Sequence, residues 1–362
     1  MDSSLSPLLI QFVRERLLAW FRANGRDLPW RISHHPYEVW ISEMMLQQTQ
    51  VRTMLSYYHR WMDRFPNVDS IAAASQEEIL RLWAGLGYYS RALHIHRTAR
   101  ILAEKHGGRL PANAEELLAL PGIGAYTAGA ILSIAFNKDC PVVDGNVERV
   151  FSRFFDLAEP VKEKSARHRI WNMAAELLPK GAAGLFNQAL MDLGATVCLP
   201  RNPRCGDCPL KDCCQALEKG TVGSRPVSAD KKSTRRIHVA VGVLEHGSRI
   251  LIQKRPPSGL MANLWEFPGG KVADGETPEE ALVREFKEEL ELHVFCRDAI
   301  ARINHGYTTF RVVLHAFRCS LHGGDQHFSL RSAVEARWVR RRDLDSYPFP
   351  AANRKLIQML RG

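Results

Sequence analysis

Between residues 220 and 236 the hydrophobic rhythm of the chain changes, and this constrains its folding more than any other feature. Before that point apolar residues recur every three or four positions, through 6–22, 37–64, 76–84, 90–105 and 168–178, which is the period of amphipathic helices. After it come β-like runs at 237–244, 249–254, 310–318 and 336–339, around one helical stretch near 277–290. The segment between carries almost no apolar bulk. It sets Arg225, Lys231, Lys232, Arg235 and Arg236 against the single acid Asp230, as an exposed linker that also suits a phosphate backbone. At 362 residues the chain is long enough for two cores. The expectation is an all-α domain over 1–219, a basic linker over 220–236 and a separate α/β domain over 237–362.

A net charge of +10 favours an anionic partner, nucleic acid before a membrane surface. No run of about 18 apolar residues offers a membrane span. Residues 1–19 mix Asp2, Arg14, Glu15 and Arg16 into an amphipathic pattern that is not a signal peptide. Of eight cysteines, five fall between Cys198 and Cys214, while Cys140, Cys296 and Cys319 stand apart. That asymmetry points to a reducing compartment and a local metal site, not a disulfide framework. A cytoplasmic, nucleoid-associated monomer in a bacterium is the expectation.

Residues 120–127 read Leu-Pro-Gly-Ile-Gly-Ala-Tyr-Thr. Gly122 and Gly124 bracket one apolar residue, letting backbone N–H groups come within reach of a phosphate, and the small apolar run 125–136 packs beneath as a helix. Such a hairpin grips a nucleic-acid backbone without reading sequence; an ordinary helix–loop–helix corner is the bland alternative. Twenty residues after Gly124, Asp144 lies beside Gly145 and Asn146, in a polar stretch where it stays ionised. It also suits a helix N-cap, and capping is compatible with catalysis. Glu43 sits on a strongly apolar helix, sharing a face with Trp40, Leu46 and Gln47. Apolar surroundings keep such a carboxyl protonated, as a general acid must be; a salt-bridged helix glutamate is the alternative. Two carboxyl groups in unlike surroundings suit glycosidic cleavage, one protonating the leaving group and the other stabilising an oxocarbenium-like sugar.

Cys198-x6-Cys205-x2-Cys208-x5-Cys214 places four thiolates in one compact loop, over 198–214, and leaves Cys213 spare. The spacing suits both an iron–sulfur cubane and tetrahedral zinc. Arg201, Arg204 and Lys211 lie between these cysteines and are expected to face DNA phosphates. Farther on, Gly270, Glu276 and Arg284-Glu285-x-x-Glu288-Glu289 follow the spacing of a Nudix box. There Glu285, Glu288 and Glu289 project from one end of a helix and hold magnesium against a diphosphate; a charge-rich exposed helix is the alternative.

Residues 1–219 resemble the helix-hairpin-helix DNA glycosylases. Within them the similarity is to the adenine DNA glycosylase (MutY) family, which removes adenine mispaired with 8-oxoguanine. It rests on Leu28-Pro-Trp-Arg31, Ser42-Glu-Met-Met-Leu-Gln-Gln-Thr49, Gly85-Leu-Gly-Tyr-Tyr-Ser-Arg91, the 120–127 hairpin and Val143-Asp-Gly-Asn-Val147. The resemblance implies that Glu43 protonates the adenine and Asp144 stabilises the C1′ cation, with Tyr126 and Asn146 positioning the reacting groups. It implies that Trp30, Arg31 and Gln188 line the base pocket, and that Gln48 and Tyr88 wedge into the stack left by the flipped nucleotide. It makes the four cysteines ligands of a 4Fe-4S cluster, and the partner duplex DNA carrying an A:8-oxoguanine or A:G mispair. Tyr126 stands where the related endonuclease III enzymes carry a lysine; a phenol forms no Schiff base, so a monofunctional hydrolase is expected.

The family's C-terminal domain is a Nudix-like reader of 8-oxoguanine, and this segment also resembles the 8-oxo-dGTP pyrophosphohydrolases (MutT). Phe349-Pro-Ala-Ala-Asn353 matches the stretch that supplies their base-reading asparagine, while Glu291 replaces the glycine of the box. The family's Phe-Ser-His loop reads Tyr307-Thr308-Thr309 here. Tyr307, Thr308 and Asn353 are thus the candidates for lesion recognition. The acids of the box leave open a bifunctional protein with magnesium-dependent 8-oxo-dGTP pyrophosphohydrolase activity.

Overall fold

The structure, a computed structural model, describes residues 5–227, 235–307, 310–323 and 327–361. Thr308, Thr309 and the stretch 228–234 of the expected linker lie outside the described residues. Thirteen α-helices precede the first described strand: α1 (Pro7–Asn24), α2 (Pro29–Ser33), α3 (Pro36–Leu46), α4 (Val51–Arg64), α5 (Val68–Ala73), α6 (Gln76–Trp83) and α7 (Tyr89–Lys105) come first. Then follow α8 (Ala114–Leu118), α9 (Ala125–Ala130), α10 (Gly145–Phe154), α11 (Lys164–Leu177), α12 (Ala183–Thr196) and α13 (Gln215–Glu218).

Their starts are written in the sequence. Ser6, Ser75 and Asn113 each turn a side-chain oxygen onto free N–H groups at the head of α1, α6 and α8. Two expectations need correction. The 37–64 run is not one helix: it breaks over Gln47–Gln50, where four polar residues offer no apolar anchor and Gln48 adopts φ +60°. The 125–136 run is α-helical only to Ala130, then widens into a π-turn over Ile131–Ala135, a distortion frequent beside functional sites.

The chain divides into two compact units: the described residues of Met1–Tyr58, Phe65–Ala72 and Arg97–Lys231, and those of His59–Arg64, Ala73–His96 and Lys232–Gly362. In the first, Leu17, Trp40, Ile41, Phe151 and Phe186 are fully buried. In the second, the Tyr89 hydroxyl donates to the Phe349 carbonyl at 3.0 Å, and Trp61 meets Trp83 edge-on with centroids 5.6 Å apart.

The second unit holds a mixed sheet of β1 (Arg235–His246), β2 (Arg249–Lys254), β3 (Trp265–Glu266), β4 (Gly269–Lys271), β5 (Val294–Gly306), β6 (Phe310–Leu321) and β7 (Glu335–Arg340). The order is β3-β2-β1-β6-β5, with β4 also on β1 and β7 on β2; β1 and β6 run parallel and the other pairs antiparallel. Alternation along the strands supplies two apolar faces. Helix α14 (Pro278–Leu290), opened by a Thr277–Glu280 capping box, puts Ala281, Leu282 and Phe286 over Ala240, Leu244 and Phe317. Helix α15 (Ala351–Arg361) puts Leu356 and Ile357 over Val241, Leu314 and Ala316 on the opposite face. No helix among the described residues is long and apolar enough to cross a membrane.

Candidate active site

A cavity of about 580 Å3 opens in the helical unit, within the size range of small-molecule sites. Glu43 on α3, Tyr126 on α9, Asp144 and Asn146 at the head of α10, and Gln188 on α12 all line it, together with Trp30 and Arg31 of α2. The sequence-predicted chemistry therefore converges. Gln48 and Tyr88 are not in its lining; both hold left-handed backbone, at φ +60° and +48°. The hairpin glycines are also outside it: Gly122 takes φ +78°, while Gly124 is extended with open space around its Cα.

Glu43 is 2% exposed. The Tyr126 hydroxyl donates to its Oε2, and also reaches the Met191 sulfur at 3.6 Å. Burial pushes the Glu43 carboxyl up to about 7; the Tyr126 hydrogen bond and Arg31 oppose the rise, and the Asp144 charge adds to it. Burial raises the Tyr126 hydroxyl well above its ordinary value, so it is a neutral donor.

Asp144 caps α10. Its Oδ1 accepts the Asn146 and Val147 N–H groups at 2.9 and 2.8 Å, and its Oδ2 accepts the Asn146 side-chain amide at 2.8 Å. Its surroundings are less polar than the sequence suggests: burial raises its pKa, and those three hydrogen bonds and the charge of Arg149 offset the rise only in part. Three donors on Asp144 against one on Glu43 still direct ionisation to Asp144 first.

Sequence reasoning missed the residues that hold these groups in place. Arg149 donates to the Asn146 side-chain oxygen at 2.8 Å, to the Gly194 carbonyl at 2.7 Å and to the Cys198 carbonyl at 2.7 Å. Gly194 is needed there, because a Cβ would come within 2.6 Å of the Asn146 Cβ. Asp192, fully buried on α12, accepts from Arg31 through both terminal nitrogens at 2.8 Å and from Arg26 at 2.9 Å. Burial would raise its pKa, but the two guanidinium groups outweigh burial and lower it. Arg31 keeps one buried donor, Nε, without a partner among the described residues. Gln188 is buried and gives its amide to the Gly184 carbonyl at 3.0 Å; Trp30 packs edge-on against Tyr58. A lone acid inside the apolar α12 run is the signal that could have found Asp192.

Cys198, Cys205, Cys208 and Cys214 line one small cavity, and the exposed Cys213 does not. Burial pushes the Cys208 thiol up to about 11, with Cys198, Cys214 and Cys205 adding to the rise. The cation on this group is Arg153, 3.4 Å from the Cys198 sulfur and itself buried. Four thiols lining one cavity are the donor types that a cationic centre would hold as thiolates. As placed, no three His, Cys, Asp or Glu side chains among the described residues stand at metal-holding separation. Arg204 turns back onto the Thr196 carbonyl and Lys211 onto that of Gly206 at 3.3 Å, while Arg201 is exposed.

In the second unit a separate cavity of about 300 Å3 is lined by Glu285, Glu289, Tyr307 and Asn353, and by Glu266, which sequence reasoning did not single out. Burial carries the Glu266 carboxyl up to about 7 against the pull of Arg255. The three acids expected to hold magnesium each have protein partners here. Glu285 and Glu288 pair with Arg284 at 2.9 and 3.2 Å, Glu289 accepts from Gln253 at 2.6 Å and Ser332 at 2.8 Å, and Glu288 is not in the cavity lining. Gly270 lets the Glu285 carboxyl lie against the β4 backbone; a Cβ there would come within 2.1 Å of it and move that side chain. Tyr307 stacks on Phe310 with centroids 4.8 Å apart, and Asn353 is buried with its oxygen 3.5 Å from the Phe267 N–H.

The helical unit with this pair of acids, Glu43 buried and Asp144 half-buried, defines a base-excision glycosylase, and the sheet unit a Nudix fold. Residues 41–175 match the HhH-GPD superfamily base excision DNA repair protein family, and residues 239–359 match the NUDIX domain. An adenine DNA glycosylase of Mus musculus is 34% identical over 400 residues, covering 96% of this chain and 77% of its own. Another from Buchnera aphidicola is 39% identical over 256 residues, covering 70% of this chain and 72% of its own. The solved structure of a thermostable thymine-DNA glycosylase superimposes with a TM-score of 0.54 at 30% identity, covering 59% of this chain and 98% of that one. The chain belongs to the adenine DNA glycosylase family, and it is a DNA N-glycosylase of base excision repair.

Proposed function

We propose that this protein hydrolyses the N-glycosidic bond of adenine mispaired with 8-oxoguanine or guanine in duplex DNA. The observation that supports this most is the joint lining of one cavity by Glu43 and Asp144, the first at a pKa of about 7 and the second held by three N–H donors. Protonated Glu43 gives its proton to the extruded adenine. The C1′–N bond breaks with both electrons leaving on the base, and ionised Asp144 stabilises the cation at C1′. Water then adds to C1′ and gives a proton to a carboxylate. Tyr126 holds Glu43, Asn146 holds Asp144, and Trp30, Gln188 and the spare Arg31 Nε donor face the base. No amine stands at position 126, so the reaction is hydrolytic without strand cleavage.

Cys198, Cys205, Cys208 and Cys214 would hold a 4Fe-4S cluster, which when bound fixes the loop and takes no part in hydrolysis. Iron analysis with a visible absorption band tests that assignment. The sheet unit would read 8-oxoguanine through Tyr307, Thr308 and Asn353. The convergence of Glu266, Glu285 and Glu289 on one cavity favours a second reading, magnesium-dependent cleavage of 8-oxo-dGTP; no pyrophosphate release from that nucleotide would remove it. The main reading is tested by adenine release from duplexes carrying adenine opposite each base. Wild-type release opposite 8-oxoguanine and guanine, lost in Glu43→Gln, is the expected result; unchanged release by Glu43→Gln would sink it.

A further inference from the structure

Three adjacent strands of the sheet unit bring three arginines together. Residues directly opposite across a ladder share a face of the sheet. The register therefore places Arg236 of β1 beside Arg311 of β6, Arg311 beside Gly306 of β5, Asn304 beside Val313, and Arg302 beside His315. Farther along this face Ala240, Phe317 and Cys319 lie in the core beneath α14. At the near end Arg236, Arg302, Asn304, Gly306 and Arg311 are exposed, and with the buried Val313 they line an open groove of about 500 Å3.

None of the three guanidinium groups has an ion-pair or hydrogen-bond partner among the described residues. Behind them His238 and His315 stack, their ring nitrogens 3.2 Å apart. The acid whose charge reaches this face is Glu279 of α14, and it acts on His315. Like charges directly opposite on neighbouring strands destabilise a sheet, and here Arg236 and Arg311 are ladder partners. A solvated basic face would scatter such charges; this one gathers them in a concavity whose floor, at Gly306, has open space where a side chain would be. Guanidinium groups in that arrangement match phosphate oxygens.

We infer that this groove binds backbone phosphates of duplex DNA. Among the described residues its lining holds no Phe, Tyr or Trp, and its one imidazole, His305, is packed edge-on against Tyr307, so it suits a backbone held without base reading better than a free nucleotide. The inference rests on the reading of the chain as a duplex-binding glycosylase and adds a second grip, outside the glycosylase cavity.

The test is binding of a labelled, undamaged duplex to the full-length protein across a salt series. Replacing Arg236, Arg302 and Arg311 together by Gln should weaken binding and flatten the log–log salt slope by about one for each phosphate that is no longer neutralised. Replacing all three by Lys should restore the slope, since a point charge suffices. Should the triple variant fold poorly, Arg302→Gln on the edge strand β5 alone should flatten the slope by up to about one. An unchanged slope in a variant that melts like the wild type overturns the inference. So does arginine-dependent binding of a fluorescent nucleoside triphosphate with the duplex slope unaltered. Adenine release by the wild type, measured separately, tests the glycosylase reading; a protein releasing no adenine but showing the arginine-dependent slope would leave the groove standing.

Discussion

Arg149 donates to the Asn146 side-chain oxygen at 2.8 Å, which fixes the Asn146 amide so that its nitrogen points to Asp144 at 2.8 Å. The same guanidinium reaches the Cys198 carbonyl. One residue thus ties the acid proposed to face C1′ to the start of the cysteine loop. Arg149→Gln frees Asn146 to rotate and removes one donor from Asp144. A lost hydrogen bond to a charged group costs about 1.5–3 kcal/mol, so single-turnover adenine release should fall at least about ten-fold. An unaltered rate would show that Asn146 needs no such hold.

Glu43 sets the pH dependence. Its carboxyl is carried to about 7 by burial, and the proposed role needs the proton, so release should decline as pH rises through about 7; at acid pH it should fall again as Asp144, whose pKa burial raises, takes up a proton. The Tyr126 hydrogen bond favours the ionised form and lowers this pKa. Tyr126→Phe should therefore move the declining limb to higher pH, visible in the pH profile of single-turnover release. A raised folded pKa also means that the folded state binds the extra proton between about 4.5 and 7, so Glu43's contribution to stability falls over that window as pH rises.

The catalytic half was legible because its chemistry sits in contiguous motifs on regular helices. Glu43 stands among Trp40, Met44 and Met45, all fully buried or nearly so, and an apolar helix announces a desolvated acid from sequence alone. Asp144 announced itself as a cap, yet how deeply it is buried depends on α12 packing across it, which no local pattern encodes. Asp192 and Arg149 act at sequence separations of 161 and 49 from the groups they hold, Arg31 and the Cys198 carbonyl. In the sheet unit β5 escaped notice because it is an edge strand, exposed along most of its length, and carries no apolar alternation. The box acids were visible, but Arg284 and Gln253 compete for them, and that competition exists only in three dimensions.

Asp192 should matter more to stability than any acid on the surface. Its side chain is fully buried and binds two arginines, of which Arg31 is 11% exposed. Asp192→Asn keeps the shape but leaves those guanidinium groups without a countercharge. Removing one partner of a buried pair costs about 3–5 kcal/mol, with the lower end expected because Arg26 is partly solvated. Urea unfolding should show a lower midpoint at unchanged slope. Arg31 would also lose its alignment in the cavity, so adenine release should weaken alongside.

Gly194→Ala separates helix propensity from packing. In an exposed helix the change would stabilise by about 1 kcal/mol. On α12 the new methyl would lie 2.6 Å from the Asn146 Cβ and 3.1 Å from both its Cα and its carbonyl oxygen, so backbone must move. Overpacking of that kind costs about 1–3 kcal/mol, which outweighs the propensity gain. The displaced residue is also the one that gives two hydrogen bonds to Asp144. The variant should melt at lower temperature and release adenine more slowly, with the rate deficit persisting at saturating protein and at temperatures where it is fully folded. A variant as stable and as fast as the wild type would mean that α12 and the head of α10 do not pack this closely.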